Sequence, residues 1–266
     1  MAQTVLKTTQ LTWKVADKTI INNIDFSLGQ GETVAIVGPN GAGKTSLLKC
    51  LHGEYQNYSG EITLNNQPMA NIKSKDIAKQ VAVVSQQNQS TFELTIIDIV
   101  RMGLLPYKSF FDGDTDSDLK KIQFALNKVD LLEKQHQVFN TLSGGEQQRV
   151  LIARAIVQAA NILIMDEPTN HLDIYYQHQI LNLVKSLNIT LLITIHDLNL
   201  AAEYCDRIIL INEGSVIAND TPENVLTADN LKKVFNLECA IDSNPFTQKP
   251  RITFANNRVQ KHQELS

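Results

Sequence analysis

The chain has 266 residues, 43% hydrophobic and 20% charged, with a net charge of −4: a globular profile, long enough for one large domain or two small ones. That balance supplies no basic field for nucleic acid, and no apolar run approaches the roughly 20 residues that span a bilayer. Cys50, Cys205 and Cys239 lie far apart without a CxxC pair, and the opening residues carry no signal-peptide core, so a cytosolic chain with buried thiols is expected.

Residues 11–21 and 24–28 predict two strands of an antiparallel layer, turning at residues 15–18. Trp13, the only tryptophan, falls on the first as either an aromatic core residue or a stacking partner for a nucleotide base. Residues 33–37 are apolar and β-branched without alternation, which predicts a short buried strand. Gly38, Pro39, Asn40, Gly41, Ala42, Gly43, Lys44 and Thr45 follow, and Ser46 opens an amphipathic helix. Gly-x-x-x-x-Gly-Lys-Thr between a strand and a helix is a phosphate-binding loop. Glycines let successive N–H groups turn inward around an anion, and the helix start adds its positive dipole end. Lys44 then suits the β- and γ-phosphates, and the Thr45 hydroxyl suits Mg²⁺.

Residues 61–64 and 81–85 predict short strands, with a helix over 74–79 between them. Thr95 predicts an N-cap, with Asp98 at the capping-box position. Residues 112–118 form an acidic, turn-rich loop whose twelfth position, Gln123, lacks the bidentate Glu of a calcium loop. Residues 119–129 predict a helix with Ile122, Leu126 and Val129 on one face. Residues 88–158 thus read as a helical insertion in an α/β chain, which makes two lobes.

Ser143 and Glu146 form a capping box at the head of a helix predicted to run to residue 160. Gly144 and Gly145 cost that helix propensity, which a plain cap does not require, and they suit close approach of a phosphate. Residues 161–165 predict a buried strand ending in Asp166 and Glu167, where ligands sit in open α/β sheets. Asp166 fits a Mg²⁺ partner and Glu167 a base or polariser for water; the alternative is a pair of solvated turn acids. After a turn at residues 170–173, a further buried strand over 190–195 leads to His196, placed for a γ-phosphate contact. Residues 208–218 predict a hairpin, Thr221 and Pro222 are expected to open a capped helix, and the polar residues 260–266 are expected to fray.

These motifs in this order resemble the ATP-binding subunit of ABC transporters over nearly the whole chain. Residues 38–45 match Walker A, 142–149 the LSGGQ-type signature (with Glu146 where Gln is common), 162–167 Walker B and 170–173 the D-loop. His196 matches the switch histidine and Gln86 the Q-loop glutamine. The resemblance implies an α/β fold of the P-loop NTPase, ABC type: a RecA-like core with an antiparallel β layer and an inserted helical subdomain. Residues 1–87 and 159–266 would form the core and 88–158 the helical subdomain of a single ABC ATPase domain. It implies ATP and Mg²⁺, the metal organised by Thr45, Gln86 and Asp166, with Glu167, His196 and Lys44 in catalysis. It further implies a head-to-tail homodimer in which Ser143, Gly144 and Gly145 of one subunit cover ATP on the phosphate loop of the other. The adenine-stacking position falls at Val15, two residues after Trp13.

Val100, Gly103, Pro106 and Tyr107 resemble the V-x-x-G-R-x-P-H segment of siderophore, haem and cobalamin importers, with Leu104 replacing Arg and Tyr107 replacing His. Asn244, Pro245, Thr247 and Pro250 resemble their N-P-x-T-G-x-P tail, with Gln248 replacing Gly. The implied function is the energy-coupling ATPase of a bacterial importer for an iron chelate (haem or a ferric siderophore), or alternatively for cobalamin. Such a subunit lies peripherally on the cytoplasmic face of the cell membrane. It works with a permease dimer and a periplasmic binding protein, and without nucleic acid. A soluble ABC ATPase acting on ribosomes or DNA belongs to another class; such proteins usually carry two cassettes or long coiled coils, whereas this chain has one cassette and no sustained heptads.

Overall fold

The computed structural model describes residues 3–85, 93–109 and 112–255. β1 (Thr4–Val15) and β2 (Lys18–Gly29) pair antiparallel across the turn expected at residues 15–18. Both strands outrun the sequence pattern, and Asn22 and Asn23, expected to separate two strands, lie inside β2. A bulge resolves the difference. The register slips between the Leu11–Ile24 and Trp13–Ile21 pairs, Asn23 takes φ +51°, and its N–H donates to Thr12 Oγ1 at 3.0 Å. The Asn22 N–H turns away to the Gly214 carbonyl at 2.8 Å.

β3 (Thr33–Val37), α1 (Lys44–Leu51), β4 (Tyr58–Leu64), β5 (Gln67–Pro68), α2 (Ser74–Ala78) and β6 (Val81–Val84) come next. The helices α3 (Ile96–Arg101), α4 (Asp116–Lys128) and α5 (Gly144–Gln158) follow without an intervening strand among the described residues. Strand and helix then alternate through β7 (Ile162–Asp166), α6 (Ile174–Ser186), β8 (Thr190–Thr194), α7 (Leu198–Tyr204), β9 (Arg207–Asn212) and β10 (Ser215–Asp220). α8 (Pro222–Val225), α9 (Ala228–Phe235) and the hairpin of β11 (Cys239–Ser243) and β12 (Pro250–Phe254) complete the described chain. α8 is a single turn whose Thr221 side chain makes no cap hydrogen bond; the side-chain cap falls instead on α9, from Thr227.

Two sheets organise the molecule. One is four-stranded in the order β2-β1-β4-β5, antiparallel throughout. The other is six-stranded in the order β10-β9-β3-β8-β7-β6, parallel except for β10. Its parallel strands read as unbroken apolar runs because both faces are covered. On one face Ala35, Val37, Leu163, Met165, Leu191 and Ile193 pack with the helices that follow β6. On the other Val34, Ile36, Ile164 and Leu192 pack with Leu47, Leu48 and Leu51 of α1 and with Leu6, Leu11 and Leu28 of the antiparallel sheet. Each such fully buried aliphatic stabilises the fold by about 1.5–3 kcal/mol. The phosphate loop leaves β3 where the two sheets meet.

Three helices begin in capping boxes: Thr95 with Asp98, Thr115 with Asp118, and Ser143 with Glu146. The middle one explains the acidic run. Asp118 caps α4 and pairs with Lys108 at 2.9 Å, while Asp114 pairs with Lys108 at 3.0 Å and Arg101 at 2.5 Å. Hydrogen bonds from Lys108 and then from Thr115 hold the Asp118 carboxyl far below its ordinary range. α5 is tied to the sheet edge by Arg154, donating to the Val83 carbonyl at 3.0 Å, and by Gln158, donating to Ala78 and Val81 carbonyls at 2.5 and 3.1 Å.

Candidate active site

The loop from Gly38 to Thr45 is shaped by glycines that nothing else can replace at two points. A Cβ on Gly38 would lie 2.2 Å from the Ile211 carbonyl oxygen. Gly43, at φ +98°, would press one to within 2.8 Å of the Ile20 carbonyl. The β9–β10 hairpin closes on the loop through the Gly214 N–H, which donates to the Ala42 carbonyl at 3.1 Å. α1 starts directly after Gly43, so its free N–H groups and dipole point into the loop. Lys44, 5% exposed, donates from Nζ to the Gly38 and Pro39 carbonyls at 2.9 and 3.1 Å. Burial pulls its ammonium below the ordinary value, and the Glu167 and Asp166 charges act in the opposite direction. Asn40, Gly41 and Thr45 are exposed; Pro39 and Ser46 are half-buried.

The acid pair emerges at the C-terminal edge of the same sheet. Asp166 is the last residue of β7, directly opposite Thr194 of β8. Asp166 Oδ1 accepts the Thr194 hydroxyl at 2.6 Å. Glu167 takes the left-handed conformation, φ +50°, and this turns its side chain out of the strand. One carboxylate oxygen meets His196 Nε2 at 2.5 Å, and the other accepts the Asn170 amide at 2.5 Å. Lys44, the adjacent acids Asp166 and Glu167, and His196, from three separate stretches of the chain, thus lie together. The solvated-turn alternative for the two acids does not hold: Asp166 is 8% exposed and both carboxylates are engaged.

Ser143, Gly144 and Gly145 stand on another element, the start of α5. Ser143 Oγ accepts the Glu146 N–H at 3.4 Å and donates to the Glu146 carboxylate at 2.7 Å. Packing supplies a local use for the glycines: a Cβ on Gly145 would touch the Tyr176 ring at 3.2 Å, and one on Gly144 would touch Leu172. Glu146 also pairs with Lys134 at 2.5 Å. Lys134 first, then the Ser143 hydroxyl and N–H, hold its carboxyl at about 2, against an ordinary 4.5. With the folded value depressed, the Glu146 contribution is whole above pH 4.5 and is lost as the pH falls toward 2. Glu146→Gln keeps a cap acceptor but loses the ion pair. We expect the variant to be less stable than wild type at pH 7 and to converge with it at low pH in urea melts; parallel pH profiles would remove the ion pair from the account.

For Trp13 the structure shows the aromatic-packing arrangement. Its ring lies on Tyr55, centroids 4.3 Å apart and planes 8° from parallel, against the core beneath the antiparallel sheet. It is left out of the nucleotide set proposed below. Gln86 lies outside the described residues. The sequence gives Thr194 no role, and it places Asn170 in a turn and the D-loop match without pairing it with Glu167. Thr194 had one signal, a hydroxyl that follows three apolar residues in a buried strand and stands two residues before His196.

Residues 21–170 match the family model described as ABC transporter. The chain is 34% identical over 264 residues to the iron(3+)-hydroxamate import ATP-binding protein FhuC of Bacillus subtilis (strain 168), covering 98% of each chain. It is 37% identical over 243 residues to the hemin import ATP-binding protein HmuV of Pseudomonas fluorescens (strain Pf0-1), covering 88% of this chain and 94% of the relative. In three dimensions it is similar to an ABC transporter assigned to the metal-chelate type, in an inward-facing conformation. The TM-score is 0.84 at 25% identity, over 97% of this chain and 99% of that one.

Proposed function

The chain belongs to the ABC transporter family and is an ATPase of it, and from that premise we propose that it drives a bacterial importer of an iron chelate, a ferric siderophore or haem. The observation that carries the chemistry is the Glu167 carboxylate, held by His196 and Asn170 beside Asp166 and the Lys44 loop. ATP phosphates lie along the N–H groups of the loop, and Lys44 exchanges its carbonyl partners for the β- and γ-phosphates. Glu167 takes a proton from water as the water oxygen bonds to the γ-phosphorus and the bond to the β-phosphate oxygen breaks. His196 holds the γ-phosphate and the orientation of Glu167.

The donors present suit Mg²⁺. Asp166 keeps a second carboxylate oxygen beside the one bonded to Thr194, and the Thr45 hydroxyl is exposed. No group of three or more His, Cys, Asp or Glu able to hold a metal occurs among the described residues. That agrees with an ion whose remaining ligands are phosphates and water. Bound there, Mg²⁺ neutralises phosphate charge; Gln86 is proposed as a further ligand.

The working unit is a head-to-tail homodimer, with Ser143, Gly144 and Gly145 of one subunit over the ATP of the other. It docks on a permease dimer at the cytoplasmic face of the membrane, supplied by a periplasmic binding protein. No helix among the described residues is long and apolar enough to cross a membrane. The names of FhuC and HmuV, and the segments around Gly103 and Asn244, support the iron-chelate cargo. Purification of the tagged protein from native membranes in mild detergent, with mass spectrometry of its companions, tests the assignment. The expected companion is a many-span permease whose binding protein takes up haem or a ferric siderophore. Recovery with ribosomes or DNA and no membrane partner overturns it, and a cobalamin-specific binding protein overturns the cargo alone.

A further inference from the structure

We propose that Thr194 is a positioning residue that sets both acids of the site, an assignment that rests on the proposed role of Glu167. Its side chain is fully buried at the end of β8. The hydroxyl makes two directed contacts, donating to Asp166 Oδ1 at 2.6 Å and accepting the Glu167 backbone N–H at 2.8 Å. A threonine hydroxyl has one proton to give, and here it goes to Asp166. The other contact meets the N–H of Glu167, where the chain leaves β7 in the left-handed conformation. A buried N–H without an acceptor is costly, and a left-handed non-glycine residue persists only where its surroundings hold it.

The consequence is geometric. Thr194 pins the backbone at the point where the chain turns from Asp166 to Glu167, and it selects which Asp166 oxygen faces the protein. Thr194 does not engage the other oxygen, and the Asp166 charge acts on Lys44 of the phosphate loop. On the far side of the turn, the Glu167 carboxylate is delivered to His196 and Asn170. A valine has the same shape and neither contact. Removing the hydroxyl loosens the two carboxylates together, which no single-acid substitution does.

The test uses full-length Thr194→Val, Thr194→Cys and Thr194→Ser. Steady-state ATP hydrolysis is measured with the Mg²⁺ dependence of binding of a fluorescent ATP analogue. Thr194→Val is expected to lower kcat by about 30-fold with KM within about threefold, and to raise the half-saturating Mg²⁺ concentration for binding by about fivefold. Thr194→Ser is expected to restore both to within about twofold of wild type. If Thr194→Val does not fold, Thr194→Cys, a weak donor, is held to the same expectation. Wild-type kcat in Val or Cys, or a loss in Ser as large as in Val, overturns the positioning role. Glu167→Gln, assayed alongside, separates the two assignments. Undiminished turnover there means Glu167 is not the base; an inactive Glu167→Gln beside a normal Thr194→Val removes only Thr194.

Discussion

Glu167→Gln lowers steady-state ATP hydrolysis by about 10²- to 10⁴-fold and leaves ATP affinity within about threefold of wild type. The glutamine is nearly the same size, so the contacts to His196 and Asn170 have a partner of the same reach. What it lacks is the charge and basicity that take the proton from water. The loop and Lys44, proposed to hold the phosphates, are untouched. Binding without hydrolysis should accumulate the ATP-bound, closed dimer, because ATP shifts the population toward closure and turnover no longer removes it. Phosphate release, nucleotide binding and light scattering with ATP are the three readouts. Turnover at the wild-type rate removes Glu167 from its role, and loss of binding in parallel makes it structural.

Lys44→Ala raises the Kd for ATP by about 100-fold. The ammonium is bonded to the Gly38 and Pro39 carbonyls, and the residue is 5% exposed. Solvent screens it little, so its attraction for phosphate exceeds that of a surface lysine. Lys44→Arg is not expected to rescue, since a planar guanidinium does not fit the volume of a buried ammonium. Without nucleotide, the alanine variant should melt within a few degrees of wild type, as it lies at the first turn of α1 and removes no core aliphatic. Calorimetric titration and thermal melts separate the two effects. An unchanged Kd takes Lys44 out of the phosphate site; a collapsed melt assigns it to the fold.

Much of the framework was legible in the sequence, and particular residues show why. The apolar runs at 33–37, 161–165 and 190–195 read as buried strands, and five of the six strands in their sheet are parallel, covered on both faces. Thr95 with Asp98 and Ser143 with Glu146 read as capping boxes, and both are made. Thr115 with Asp118 did not, because the acidic run around them looked like a solvated loop. It is instead held by Lys108 and Arg101, neither of them a neighbour in the chain. The gap expected at Asn22 and Asn23 closed into a bulge because the Asn22 N–H has a partner, Gly214, on another sheet.

The line between the two kinds of information is the range of the interaction. Caps, the β1–β2 turn, the phosphate-loop spacing and the acids at a strand end depend on neighbours a few residues apart, so the chain alone dictated them. Its periodicity also dictated which segments are covered on both sides. Trp13 stacks on Tyr55, and the Asp166–Thr194 bond spans 28 residues; Glu167 meets His196 only because β7 and β8 lie side by side. Whether a side chain finds a ring, an orphaned N–H or a base at that distance depends on strand order and on the path each turn takes. A one-dimensional pattern carries no term for either, and folding supplies both.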